Sequence, residues 1–218
     1  NMSAIHYAIW CMGNIWGYVL QMLPCVCLAP LAYAAVLPYR RRRLKRLGLV
    51  SSKCRESALL LFMMFCAGLA ALTLFPAGFW TVARWTAVLK GEQPLFPAVD
   101  WQLQLATLQL HPFQEILRGL RGGWVLFLVI ANVGIFIPVG FFAALLWRRP
   151  RWWRSLFAGF LTSGFIELVQ FFIGRSSDID DVILNTAGAF VGFWVFAVVN
   201  ALFPRLAAQF QCRERTEL

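Results

Sequence analysis

Five stretches of this chain stay apolar for about the roughly 20 residues that a helix needs to cross hydrocarbon. They cover residues 13–38, 57–75, 123–147, 155–173 and 182–203. Inside a bilayer the main chain has no water to bond, so such segments are held to the helix, which satisfies its own backbone. The 218 residues are 60% hydrophobic and only 14% charged, with mean hydropathy +0.67. Soluble domains carry about a quarter charged residues, so a water-facing globule is excluded. The expected fold is all-α: a polytopic transmembrane helix bundle of about five spans with no separate soluble domain. Pro24 and Pro30 predict a kink or an early break in the first span.

Net charge is +10, and 15 of the 20 Lys and Arg fall in three clusters: 40–55, 148–154 and the tail from Arg205. All three flank apolar runs on alternate sides, so one membrane face collects them. The positive-inside tendency places that face in the cytoplasm, with the N-terminus outside and the C-terminus inside. Basic flanks of this kind attract anionic lipid head groups, and no nucleic acid is needed to explain them. The chain divides into a first span with a basic cytoplasmic loop (1–56), a membrane domain (57–203) and a basic cytoplasmic tail (204–218). The first run lacks a basic flank and a clear cleavage site, so it is read as a retained span rather than a signal peptide.

The largest extracytoplasmic segment then lies between spans two and three, over 76–122. Trp80, Trp85 and Trp101 suit the membrane interface. Period-two alternation over 99–110 suggests a short strand or hairpin, or an irregular loop, and 110–117 suggests a turn entering a short helix. Gly13/Gly17, Gly159/Ser163 and Gly188/Gly192 are small-x-x-x-small pairs that favour close helix packing within one chain. His6 and His111 read as loop histidines. Six cysteines include Cys11 outside and a bare C-x-C at Cys25 and Cys27, which predicts neither a disulfide nor a structural metal.

The stretch 165–188 concentrates Glu167, Gln170, Arg175, Asp178, Asp180, Asp181 and Asn185 between two apolar runs. Ser163, Glu167 and Gln170 share one face of the fourth span; Asp178, Asp181, Asn185, Gly188 and Gly192 form one stripe of the fifth; Asn132, Phe136 and Gly140 form one of the third. Glu167 lies about 12 Å of helix below Arg175, and Asn132 about 13 Å below Gly123. With Gln21, four helices bring a polar group into the outer half of the membrane, where facing lipid would be costly. These groups are expected to face inward around a polar cavity open to the outside. Its floor would be Glu167, Gln170, Asn132 and Gln21, and its rim Arg175, Asp178, Asp180 and Asp181. Each has a plainer reading: Glu167 as a protonated or hydrogen-bonded strut, Asn132, Gln170 and Asn185 as interhelical hydrogen bonds, Ser177 or Asp178 as a helix cap, Arg175 as a surface ion-pair partner of Asp178. No metal site is assigned and no cofactor is expected, although carboxylate and amide oxygens would suit a divalent cation.

Three blocks, "NVGIFIPVG" (132–140), "SGFIELVQ" (163–170) and "RSSDIDDVILNTAGAFVG" (175–192), resemble the VanZ-like family of bacterial membrane proteins. They follow its N-x3-F-x-P-x-G, S-x2-I-E-x2-Q and R-x2-D-x2-D-x3-N-x2-G-x3-G patterns. "LQLHPF" (108–113) is similar to a further element, with Gln109 where Asn is usual. The resemblance covers 57–203 and implies a multi-pass protein of the bacterial plasma membrane, in a family named for low-level teicoplanin resistance. It implies no established reaction. Teicoplanin carries a fatty acyl chain and acts on a lipid-linked cell-wall precursor at the outer membrane surface.

Three functions follow as expectations. The first is an outward cavity binding an amphiphile, whether a lipoglycopeptide antibiotic, a lipid-linked cell-wall precursor or another membrane lipid. Its ligand-binding residues would be Asn132, Ser163, Glu167, Gln170, Arg175, Asp178, Asp181 and Asn185. The second is an enzyme modifying an envelope lipid, with Glu167, Asp178 and Asp181 as catalytic acid and base groups; no nucleophile motif accompanies them. The third is a small transporter or flippase using Glu167 as a proton carrier.

Overall fold

The computed structural model describes residues 4–76, 78–119 and 123–214. Its long helices are α1 (Ala4–Arg46), α2 (Lys53–Leu74), α6 (Gly123–Leu146), α7 (Trp152–Phe172) and α8 (Ile179–Leu202). Each contains a segment long and apolar enough to cross a membrane, as five spans require. Between α2 and α6 lie three short helices, α3 (Val82–Leu89), α4 (Trp101–Ala106) and α5 (Gln114–Gly119). A final short helix, α9 (Pro204–Ala208), follows α8. The side chains of His6 and Cys11, and the surroundings of Gly13, lie outside the described part.

α1 is not broken. It runs through Pro24, Pro30 and Pro38 and takes in Arg40–Arg46, so the first part of the expected basic loop is helix. Proline is tolerated in a membrane helix because neighbouring groups re-satisfy the carbonyls it frees. Arg, Leu and Lys are good helix formers, and cations suit the negative end of the dipole, so the helix continues past the apolar run.

The 99–110 stretch is also a correction. α4 is a helix, not a strand, because Asp100 caps it: its carboxylate accepts the N–H groups of Gln102 (3.0 Å) and Leu103 (3.2 Å). Trp101 then rests against Phe171 and Phe172 at the end of α7. Helical turn geometry satisfies the backbone locally, which alternation over so few residues does not oppose.

α8 packs between α6 and α7, and α1 packs along α2. At the α6–α8 contact, main chain meets main chain. A Cβ on Gly140 would stand 1.8 Å from the Ala189 carbonyl oxygen, and one on Gly188 or Gly192 2.1 Å from those of Val133 and Ile137. Gly159 of α7 likewise faces the Ala189 Cβ, which a methyl would approach to 2.3 Å. Two of the three small-residue pairs therefore pack within the chain. Gly17 has nothing within 4 Å. Phe136, Val139, Ile166 and Leu69 fill the core of α6, α7 and α2, and Ala58, Ala144, Leu145 and Phe196 fill it nearer the basic end.

At the basic end, β1 (Leu49–Val50) pairs antiparallel with β2 (Arg213–Glu214). Ser52 caps α2 by accepting the Arg55 N–H at 3.0 Å and also donates to the Gln209 carbonyl. Arg55 Nη1 donates to the carbonyls of Leu146 (2.8 Å) and Phe210 (2.9 Å), closing the ends of α6 and α9 against the start of α2. Glu56 accepts from Arg40 and Tyr33 of α1. The tail after α8 is thus folded back on the bundle.

Candidate functional site

The opposite end of the bundle is polar, and the turn between α7 and α8 organises it. Gly174 adopts φ +75°, and the Arg175 N–H returns to the Gln170 carbonyl at 2.9 Å, closing α7 in a left-handed turn that glycine permits. Asp178 caps α8, accepting the Asp180 N–H at 2.8 Å. Its own N–H donates to Glu167 Oε2 at 2.9 Å. Glu167, 7% exposed, is therefore tied across the turn to the positive end of the next helix, a favourable place for an anion. Arg175 and Asp178 also lie close enough for their charges to act on it.

Asp181, in the first turn of α8, accepts the Asn132 amide of α6. Asn185, one turn further, donates to Ser163 Oγ of α7 at 2.9 Å, while its Oδ1 is buried with no partner among the described residues. The stripes of α6, α7 and α8 thus face one another, with α8 contributing to both contacts. A second group gathers at the C-terminal end of α2, where helical carbonyls lack intrahelical donors. Gln170 Nε2 donates to the Thr73 carbonyl at 3.0 Å, and Arg175 Nη1 to that of Phe75 at 3.0 Å. Gln21 of α1 reaches the carbonyls of Ala71 and Phe75, both at 3.1 Å.

Some of the layer was not anticipated. Asp180, placed at the rim, is fully buried and accepts the N–H of Phe113, whose φ of 69° is unusual for a bulky residue. Gln109 bridges the turn: its N–H donates to the Ser177 carbonyl (3.2 Å) and its carbonyl accepts the Ile179 N–H (3.1 Å). Gln104, buried on α4, donates to the Arg175 carbonyl. The segment 104–113 therefore clamps 175–180 from outside, mostly through main-chain atoms. Gln104, which was not anticipated, carries a sequence signal all the same: a polar residue between Leu103 and Leu105.

The short helices beside this end expose apolar side chains: Leu103 and Leu105 on α4, Leu110 after it, and Val82 and Leu89 on α3. Phe79 is buried among Phe75, Trp80, Trp85 and Phe96. Trp80 Nε1 is buried with no acceptor among the described residues. In chemical terms, the end of the bundle holds two buried carboxylates, Glu167 and Asp180, an arginine and several amides, edged by apolar surface. Among the described residues, no three His, Cys, Asp or Glu side chains come together as a metal cage.

No match was found among curated proteins or among solved structures. The family model described as VanZ/LLP1 matches residues 62–200, more than half of the chain, and takes in the whole polar layer apart from Gln21. With three motif blocks falling on the mutually packed faces of α6, α7 and α8 inside that span, this multi-pass helical chain belongs to the VanZ/LLP1 family.

Proposed function

We propose that the polar end of the bundle opens to the outer leaflet of a bacterial plasma membrane and binds an amphiphile there. The orientation rests on the basic clusters, which collect at the other end and favour the cytoplasm. The observation that carries the reading is a buried carboxylate, held by the Asp178 N–H, with an arginine in the same layer, directly beside helices whose apolar side chains are exposed. A polar or charged head would meet Glu167, Arg175, Gln170 and Asn132, with Asp178, Asp181, Ser163 and Asn185 around them, while acyl chains would lie along α4 and the end of α7. Intramembrane ionisable groups are expensive to keep, and function is the common reason for keeping them. The ligand class is a lipoglycopeptide, a lipid-linked cell-wall precursor or another envelope lipid, and the family relation supports a role in teicoplanin resistance.

The test is mass spectrometry of lipids retained by the purified chain, together with teicoplanin binding followed by tryptophan fluorescence. Glu167→Gln keeps an oxygen for the Asp178 N–H, so the fold should survive while the head-group site loses its charge. Glu167→Gln and Arg175→Ala should each lose the retained lipid or the antibiotic signal at unchanged unfolding temperature. Wild-type binding by both variants refutes the site.

A second reading is an enzyme in which Glu167 works with Asp178 and Asp181 on an envelope lipid, with a divalent ion if one is required. The Glu167–Asp178 contact favours it, since it fixes a buried carboxylate at a defined place. Product formation by the purified chain, with and without chelator, separates it from binding alone. Movement of labelled lipid between vesicle leaflets would instead mark a transporter or flippase.

A further inference from the structure

At the opposite, basic end a groove of about 820 Å³ separates the α1–α2 pair from α6 and α7. Its size is within the roughly 300–1,000 Å³ common for small-molecule sites. Arg43, Arg55 and Arg148 line its mouth, and no described lining residue is acidic. Deeper in, Phe62 of α2 and Ala158 and Thr162 of α7 line it. Phe62 lies about 14 Å along α2 from Lys53, and Thr162 about 15 Å along α7 from Trp152, so the groove reaches well into the apolar length of the bundle. Arg55 contributes a further sign: its Nη1 is used on two carbonyls, but its Nε–H is buried with no acceptor among the described residues.

We propose that this groove is a binding site for one anionic glycerophospholipid of the leaflet at the basic end. The phosphate group would sit among Arg43, Arg55 and Arg148, and one acyl chain would lie between α2 and α7 towards Phe62 and Thr162. Charge complementarity selects the head group, since three arginines and no acidic side chain are among the described residues that line the groove. The depth selects a lipid over a free phosphate, because a soluble anion would leave the Phe62–Thr162 length unfilled. The site is separate from the Glu167 layer and does not depend on it.

The experiment is native mass spectrometry of the purified full chain titrated with palmitoyl-oleoyl phosphatidylglycerol or the matching phosphatidylcholine. The wild type should take up one phosphatidylglycerol in preference to phosphatidylcholine. Arg43→Ala with Arg148→Ala should weaken phosphatidylglycerol about 5-fold per arginine, hence roughly 25-fold for the pair. Arg42→Ala with Arg149→Ala removes the same charge from the same end outside the groove and should leave binding near wild type. Ala158→Phe, which fills the chain-binding part, should weaken both lipids. The proposal is overturned if the wild type has no head-group preference, or if the Arg42/Arg149 pair loses as much as the Arg43/Arg148 pair. It is equally overturned if a folded Ala158→Phe variant binds like wild type. Both arginine pairs are in side chains at the surface, so these arms remain readable even where Ala158→Phe does not fold.

Discussion

Replacing Gly140 by alanine drives a methyl group into main chain. The new Cβ would stand 1.8 Å from the Ala189 carbonyl oxygen and 2.7 Å from its Cα, whereas ordinary contact begins at 3.4 Å, so α6 and α8 must part by 1.6 Å at this level. No rotamer relieves the clash, because the opposing atoms are backbone. Overpacking usually costs about 1–3 kcal/mol, and a main-chain obstacle belongs at the upper end. Alanine recovers up to about 1 kcal/mol in helix propensity, leaving a net loss of roughly 2 kcal/mol. Gly134, two turns away on the same helix, has nothing within 4 Å, so Gly134→Ala should be neutral or gain up to about 1 kcal/mol. The two variants should therefore differ by roughly 3 kcal/mol in unfolding titrations with rising dodecyl sulfate in mixed micelles, followed by helical circular dichroism. The same separation should loosen the Asn132–Asp181 bond, which spans the same two helices. If Gly140→Ala unfolds within about 0.5 kcal/mol of Gly134→Ala, the α6–α8 contact is not backbone on backbone and the reasoning fails.

A double-mutant cycle on Asn132→Ala and Asp181→Ala should return a coupling of roughly 0.6–1.7 kcal/mol in the same titration, the range of hydrogen bonds between membrane helices; zero coupling would separate the two residues. Arg55→Ala should release the Phe210 carbonyl and the segment after α8, and limited proteolysis should then clip within residues 204–214 many times faster than in wild type, with α2 and α6 intact.

The helical class and the number of spans were legible because a bilayer leaves the backbone few choices, so apolar run length nearly determines the answer. The facing stripes of α6, α7 and α8 were legible for a related reason: Asn132 with Phe136 and Gly140, Ser163 with Glu167 and Gln170, and Asp181 with Asn185 and Gly188 each recur at helical spacing, and turning such polar groups to lipid is costly. Legibility failed where main-chain atoms do the bonding. Nothing in the sequence marks the carbonyls of Thr73 and Phe75 as acceptors for Gln170, Gln21 and Arg175, and Asp180 looked like a rim carboxylate because its partner is the Phe113 amide. α4 was misread for want of weight on Asp100, whose cap outranks a few alternating residues. α1 runs on through Pro24, Pro30 and Pro38, so the early break that the first two suggested does not occur.

The Phe75 carbonyl has two donors at once, Gln21 from α1 and Arg175 from the α7–α8 turn. That redundancy bears on how easily Arg175 could change allegiance. Were a passing anion to draw the guanidinium away, the oxygen it left would still be held by the glutamine amide. The exchange would forfeit a single contact, on the order of 1 kcal/mol, without stranding a dehydrated acceptor, which costs more. A latch with a standby hand can be let go cheaply, and it keeps α1 and α2 fastened while the arginine is away.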